Sequence, residues 1–426
     1  MITASPPATT RAALQRRTLR VLVAAQILGG LGQSGAAAGA LLALDMTGSA
    51  SLASLPLALL VVGSSASVVP ISALSRRAGR RAGLATALAT AALGAAGVVA
   101  AGALGSFALL LPASAVFGAG NTAVMLARYA AADLSTPAER GRAIGLVVFA
   151  TTFGAVAGPN LLEPSGHAAA AVGLPELTGL FLVSVGAFAL AALLLFVLLR
   201  PDPLHVAAAL ERARAAEDGA VAPAVPLRQL LSSTSAVAGL ATMVVSNFVM
   251  VAVMAMAPVQ MDAHGHGLRF VGLVISLHIA GMFAPSPLTG WLTDRTGPLG
   301  VAAAGTALLV TAAALAAAAG HHAATFALAL VLLGVGWNAG LIAGSTLLAS
   351  AVPLAHRPRA EAVGELGMGF TAATATAVAG PVVGWAGYAT LAIAGACAAA
   401  ALAPLLISVA RRGLPAETAP ADRLLI

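Results

Sequence analysis

Residues 290–297 read Gly290-Trp291-Leu292-Thr293-Asp294-Arg295-Thr296-Gly297, and 218 residues earlier the chain reads Ser72-Ala-Leu-Ser-Arg76-Arg77-Ala-Gly79-Arg80-Arg81. Both stretches interrupt long apolar runs with arginine and glycine. Two further pairs repeat at nearly the same separation: Glu139-Arg140-Gly-Arg142-Ala with His356-Arg357-Pro-Arg359-Ala at 217, and Gly158-Pro159 with Gly380-Pro381 at 222. Three matches near one offset mean that the second half of the chain repeats the architecture of the first.

The apolar runs between these breaks set the class. Hydrophobic residues make up 59% of the 426 and charged ones 9%, with a mean hydropathy of +0.96. A soluble domain carries roughly 25% charged residues, so a soluble enzyme, a nucleic-acid-binding protein and a disordered chain are all excluded. A helix needs about 20 apolar residues to cross a bilayer. Twelve runs qualify, here called spans 1–12: 19–43, 50–74, 82–103, 106–130, 141–163, 176–199, 235–260, 268–291, 298–319, 323–350, 360–382 and 385–409. The fold class is an all-α membrane protein with twelve transmembrane helices in two six-helix halves. The N-terminal half is expected over 1–200 and the C-terminal half over 229–426. The polar stretch 201–228 is a central loop whose Glu, Arg and Ala content allows a short surface helix. Small residues, 46 of them glycine, let such helices approach closely.

There is no lysine, and 21 of the 22 arginines fall before span 1, after even-numbered spans or in the central loop; Arg269 is the exception. By the positive-inside rule both termini and the central loop lie in the cytoplasm. The pI near 11.2 is therefore a record of topology, with no nucleic acid implied, and the partner is the lipid bilayer. The N-terminal apolar run is too long for a cleaved signal sequence and reads as the first span. The single cysteine, Cys397, excludes an internal disulfide.

Parallel six-span repeats around a central loop form a transporter architecture whose substrate site lies near the bilayer midplane. The chain resembles the major facilitator superfamily along essentially its whole length. The stretch Gly290-x-Leu292-x-Asp294-Arg295-x-Gly297 is similar to that superfamily's signature loop, which implies that Gly290, Asp294, Arg295 and Gly297 help hold a cytoplasmic gate. Asp294 can pair with an arginine or cap a neighbouring helix N-terminus. The first-half copy departs from the pattern, with Arg76 where the acid is expected and Ser72 where glycine is expected.

At midplane depth acids are almost absent. Glu365, about one turn into span 11, is the candidate proton-coupling group. Methionine is the anomaly: six of the ten fall between 243 and 282. Met250-Val-Ala-Val-Met254 and His278-Ile-Ala-Gly-Met282 are each i, i+4 pairs that share one helix face. At about 1.5 Å per residue they order by depth as Met254, Met250, His278 and Met282. Above them Met261, His264 and His266 are candidates to collect metal at the mouth. Thioether and imidazole ligands suit copper, and an intramembrane histidine is a functional candidate by default, although methionine pairs also fill gaps in helix packing. The first-half equivalents near Gly30, Ser34, Ala58 and Val62 hold no ligand.

The MxxxM of span 7 with the HxxxM of span 8 resembles the CcoA-like copper transporters, a subgroup that imports copper across the bacterial inner membrane. The resemblance implies metal ligation by Met250, Met254, His278 and Met282, and a monomeric carrier with copper as substrate, copper chaperones as partners and no prosthetic group. The alternative is a proton-coupled exporter of a small organic compound, supported by Gly154-xxx-Gly158-Pro159, which resembles a span 5 motif of the superfamily's antiporters. No catalytic constellation or nucleotide loop is present, so no enzyme activity is expected.

Overall fold

The computed structural model describes residues 8–217, 233–265 and 268–412. Every regular element among them is helical. Among the described residues nine helical stretches are long and apolar enough to cross a membrane, and two of these carry two spans each. Spans 2 and 3 run through Leu55–Ala103 and reverse at Gly79 (φ 90°, ψ 168°). Spans 11 and 12 run through Arg357–Ala400 and reverse at Gly387 (φ 81°, ψ 163°), with Ala403–Arg412 following. Span 5 is the helix Arg140–Asn160. Span 1 is built from Ala8–Gly32 and Ala36–Thr47. Spans 7 and 10 are single helices, Thr234–Ala263 and Ala323–Ala351. Span 8 is Leu268–Phe283 continued by Ser286–Thr296. Helix Pro203–Glu217 occupies the first part of the central segment.

The repeat seen in the sequence is written into the turns. Among the described residues eight glycines take positive φ, and they pair across the halves in chain order: Gly48 with Gly265, Gly79 with Gly297, Gly105 with Gly320 and Gly173 with Gly387. Each pair closes the equivalent interspan turn, and the separations of 214–218 residues match those of the sequence motifs. Only glycine visits this region without steric cost.

Spans 1–6 pack chiefly against one another, as do spans 7–12. The halves meet along two seams: span 8 against span 5, and span 11 against span 2. Small residues make the first seam tight. A Cβ on Gly290 would strike the carbonyl of Gly141, and one on Gly145 would strike the carbonyl of Ser286. Adjacency does not always follow chain order. Spans 7 and 8 barely touch; each lies along span 10 instead. The methionines of span 7 and the His–Met pair of span 8 are therefore not on neighbouring helices.

Four arginines counted above as topology markers are buried. Arg80 and Arg128 are each 1% exposed, and Arg140 and Arg357 are also inside. Arg128 belongs to helix Ala119–Ala132 rather than to the loop after it. A charge at that depth needs partners, because burying it alone is far costlier than leaving it in water.

Candidate functional site

The site is a stack of two ion-paired layers, toward the arginine-rich face, beneath a central cavity. In the layer nearest that face, Asp294 at the end of span 8 reaches across to the first turn of span 5. Its Oδ1 accepts the Gly141 N–H at 2.7 Å and its Oδ2 the Arg142 N–H at 2.9 Å, with Arg142 Nε at 3.7 Å. The carboxylate thus satisfies orphan donors of a helix N-terminus and meets the positive end of its dipole. Gly290 permits the backbone crossing, Gly297 (φ 87°) turns the chain into span 9, and Arg295 stays exposed over the Trp291 ring, 5.1 Å from its centroid.

In the same layer Arg80 joins the halves. Its Nε donates to Asp133 Oδ2 at 2.8 Å, and its Nη1 and Nη2 donate to the two Glu361 oxygens at 2.6 Å each. All three side chains are at most 1% exposed. The fork geometry of arginine makes such a two-carboxylate clamp possible. The acid missing at Arg76 has a substitute nearby: Asp202, after span 6, accepts the Arg81 N–H at 2.8 Å and lies where a Cβ on Gly79 would fall.

One layer deeper, Arg128 of span 4 spans the same divide. Nη2 donates to Glu365 Oε1 at 2.5 Å, Nε to Ser345 Oγ at 2.9 Å, and the guanidinium lies 4.4 Å from the Tyr129 ring centroid. Arg140 also donates to Ser350 across the halves. Glu365 is thus both a partner in an inter-half pair and part of the floor of the cavity above it.

That cavity, about 250 Å³, lies where spans 2, 4, 7, 8, 10 and 11 converge. Ser64, Ser65, Asn121 and Thr122 line it from the first half; Asn247, Met282, Phe283, Trp337, Glu365 and Met368 line it from the second. Its polar groups are held in place. Trp337 Nε1 donates to Asn247 Oδ1 at 3.1 Å, and Asn247 Nδ2 to the Met368 carbonyl at 2.9 Å. Asn121 Nδ2 donates to Ser64 Oγ at 2.9 Å. Phe283 stands edge-on to Trp337, ring centroids 5.9 Å apart.

Of the soft residues in spans 7 and 8, the structure brings only Met282 to the cavity wall. Met250 is 8% exposed and sits in the core, and Met254 packs half-buried against it. His278 is 2% exposed, at the seam of spans 8 and 10. Its Nδ1 lies 2.7 Å from the Leu330 carbonyl, so that nitrogen carries the hydrogen, and its buried Nε2 has no partner among the described residues. Met261 is 1% exposed in the core, not at the mouth. His264 instead meets His321 of the turn before span 10, ring centroids 4.4 Å apart. His266 lies outside the described residues.

Two six-span repeats around a central cavity are a transporter plan. A model described as Major Facilitator Superfamily matches residues 22–337 and 241–424. The chain belongs to the major facilitator superfamily. It is a membrane carrier, not an enzyme. It is 40% identical to the uncharacterised MFS-type transporter YddS of Bacillus subtilis over 94% of this chain and 92% of the relative. It is 29% identical to the riboflavin transporter RfnT of Brucella anthropi over 96% of this chain and all of the relative. The fold also matches the solved human organic anion transporter MFSD10 at a TM-score of 0.73, with 19% identity over 92% of this chain and 99% of that one. The superfamily transporter FucP matches at 0.65, with 17% identity over 93% and 99%.

Sequence reasoning passed over Arg80, Asp133, Glu361, Arg128, Asn247 and Trp337 as a working set. A signal for part of it was present. Arg128 fell inside the bounds of span 4, and Glu361 and Glu365 are an i, i+4 pair on span 11, which together ask for ion pairs across helices.

Proposed function

We propose that this carrier moves a small, neutral, hydrogen-bonding organic solute by alternating access, with the solute held in the central cavity. The observation that carries this reading is the cavity wall: amides, hydroxyls, an indole and thioethers, with its one acid already held by Arg128. Such mixed walls suit a ligand that is mostly apolar with a few directed polar groups. The moving bodies are residues 1–200 and 229–426, joined by 201–228, in a bacterial plasma membrane with the arginine-rich face in the cytoplasm. The carrier works as a monomer without a prosthetic group. Proton coupling runs through Glu365, because protonating it removes the charge that ties the cavity floor to Arg128.

The test uses Trp337 as reporter, in a Trp291→Phe, Trp385→Phe background that leaves one tryptophan. Riboflavin, taken from the 29% identical relative, is the first probe, followed by smaller neutral heteroaromatics. Saturable quenching, weakened about tenfold by Asn247→Leu, supports the reading. Non-saturable quenching by every neutral solute, with silver ion alone giving a saturable change, rejects it.

Copper import is a second reading, favoured by one observation: the buried, unpartnered Nε2 of His278, whose tautomer leaves a lone pair there. Met250 and Met254 follow cavity-lining Asn247 at i+3 and i+7 on span 7, and His278 precedes cavity-lining Met282 by one turn. Copper uptake by copper-starved cells decides it. Uptake lost in His278→Ala at unchanged membrane abundance carries this reading, and equal uptake discards it.

A further inference from the structure

We propose a divalent transition-metal site on the face opposite the arginines, built from His264 at the end of span 7 and His321 in the turn before span 10. The two residues are 57 apart in the chain, yet their rings meet at 4.4 Å between centroids with planes at 65°. His321 is exposed and His264 half-buried, so the pair borders solvent. His264 Nδ1 lies 2.8 Å from the Gln260 carbonyl. A carbonyl only accepts, so Nδ1 carries the hydrogen and Nε2 presents its lone pair. A backbone acceptor that fixes the tautomer in this way is the usual outer support of a metal-bound imidazole.

The spacing fits an ion as well. With metal–nitrogen bonds of about 2.0–2.1 Å, two imidazoles on one ion place their centroids about 4.5–5.2 Å apart for angles between square and tetrahedral. The observed separation lies within an ångström of that range, a shift that side-chain rotation in exposed turns supplies. Two neutral imidazoles with water in the remaining positions suit zinc, copper(II) or nickel(II) and do not suit magnesium or calcium, which take oxygen ligands.

Both turns belong to the second half, so the site keeps its geometry while the halves move. It therefore rests on neither reading of the transported solute. A bound ion braces the turn after span 7 against the turn before span 10 at the outer end of the carrier.

The test is zinc binding by the purified full chain, prepared without a polyhistidine tag and freed of metal, measured by calorimetry. One equivalent is expected to bind, with affinity at least tenfold weaker in His264→Ala and in His321→Ala and no site left in the double variant. His205→Ala, an exposed histidine at the arginine-rich end, should bind as wild type does. Zinc should raise the Tm of wild type and not that of the double variant. His321→Asn alone keeps the test decisive if His264 variants fold poorly, because His321 is exposed. Unchanged zinc binding in His321→Asn and in the double variant overturns the proposal and leaves an edge-to-face ring contact only.

Discussion

Replacing Glu365 with Gln removes the negative partner of Arg128 while keeping the shape of the side chain. In the observed state Arg128 is 1% exposed and Glu365 7%, and the pair bridges the halves at 2.5 Å. Removing one partner of a buried pair costs about 3–5 kcal/mol, because the other charge is left uncompensated. Some of that is retained: the Gln carbonyl still accepts one hydrogen bond, and Arg128 keeps Ser345 and the Met125 carbonyl. When the halves part on the arginine-rich side, Arg128 meets water and the cost disappears. The substitution therefore acts on one state only. A net bias of roughly 2–3 kcal/mol toward the parted state is about a 27- to 140-fold change in the equilibrium, at 1.4 kcal/mol per tenfold. Spin labels at Ala138 and Gly300, both exposed at the arginine-rich end, read it by pulsed electron resonance. Cys397 is exposed and must first be changed to Ala. A Cβ at Gly300 meets nothing closer than Thr296 at 3.7 Å. A long-distance population that is minor in wild type should dominate in Glu365→Gln. Superimposable distance distributions for wild type, Glu365→Gln and Glu365→Ala would refute the idea that this pair holds the halves together.

Gly290→Ala places a methyl group on the Gly141 carbonyl; the span 8 and span 5 seam must widen, and transport in proteoliposomes should fall at least tenfold at normal insertion. Asp294→Asn keeps one acceptor for the Gly141 and Arg142 N–H groups but loses the charge at the helix N-terminus, worth about 0.3–1 kcal/mol at exposed sites and up to ~2 when partly buried; a two- to tenfold loss of initial rate is expected. Asn247→Leu strands the Trp337 indole, and since an orphaned buried donor costs about 1–3 kcal/mol, solute affinity should drop by about tenfold in the Trp337 quenching titration. Gly79→Ala combines a positive φ with a collision against the Asp202 carboxylate, so it should lower Tm and membrane abundance, while Gly380→Ala, with nothing near, should leave both unchanged.

The spans were legible because each is a local property: about twenty residues of low polarity cross the bilayer whatever their neighbours. The turn glycines were legible in part for the same reason, since Gly79 and Gly297 stand at matching places in the repeat. Asp294 could be read as a cap or an ion-pair partner from its position alone. The pairing of Met250 and Met254 with His278 and Met282 could not be judged in the same way. Helical spacing places residues on one face of one helix; it does not say which helix that face meets. Span 10 runs between spans 7 and 8, and only Met282 of the four reaches the cavity.

The arginines show where the two kinds of knowledge divide. Sequence alone determined that this chain crosses the membrane twelve times in a doubled pattern, and it assigned 21 of the 22 arginines to one side, because hydropathy and charge act span by span. It also gave Arg80 and Arg128 the same meaning as the other arginines of that group. Tertiary structure decided that Arg80 and Arg128 are instead buried between the halves, paired with Glu361 and Glu365 from 281 and 237 residues away. The physical reason is that a buried charge is satisfied by whatever acid folding brings within hydrogen-bond distance, and separation along the chain carries no such distance.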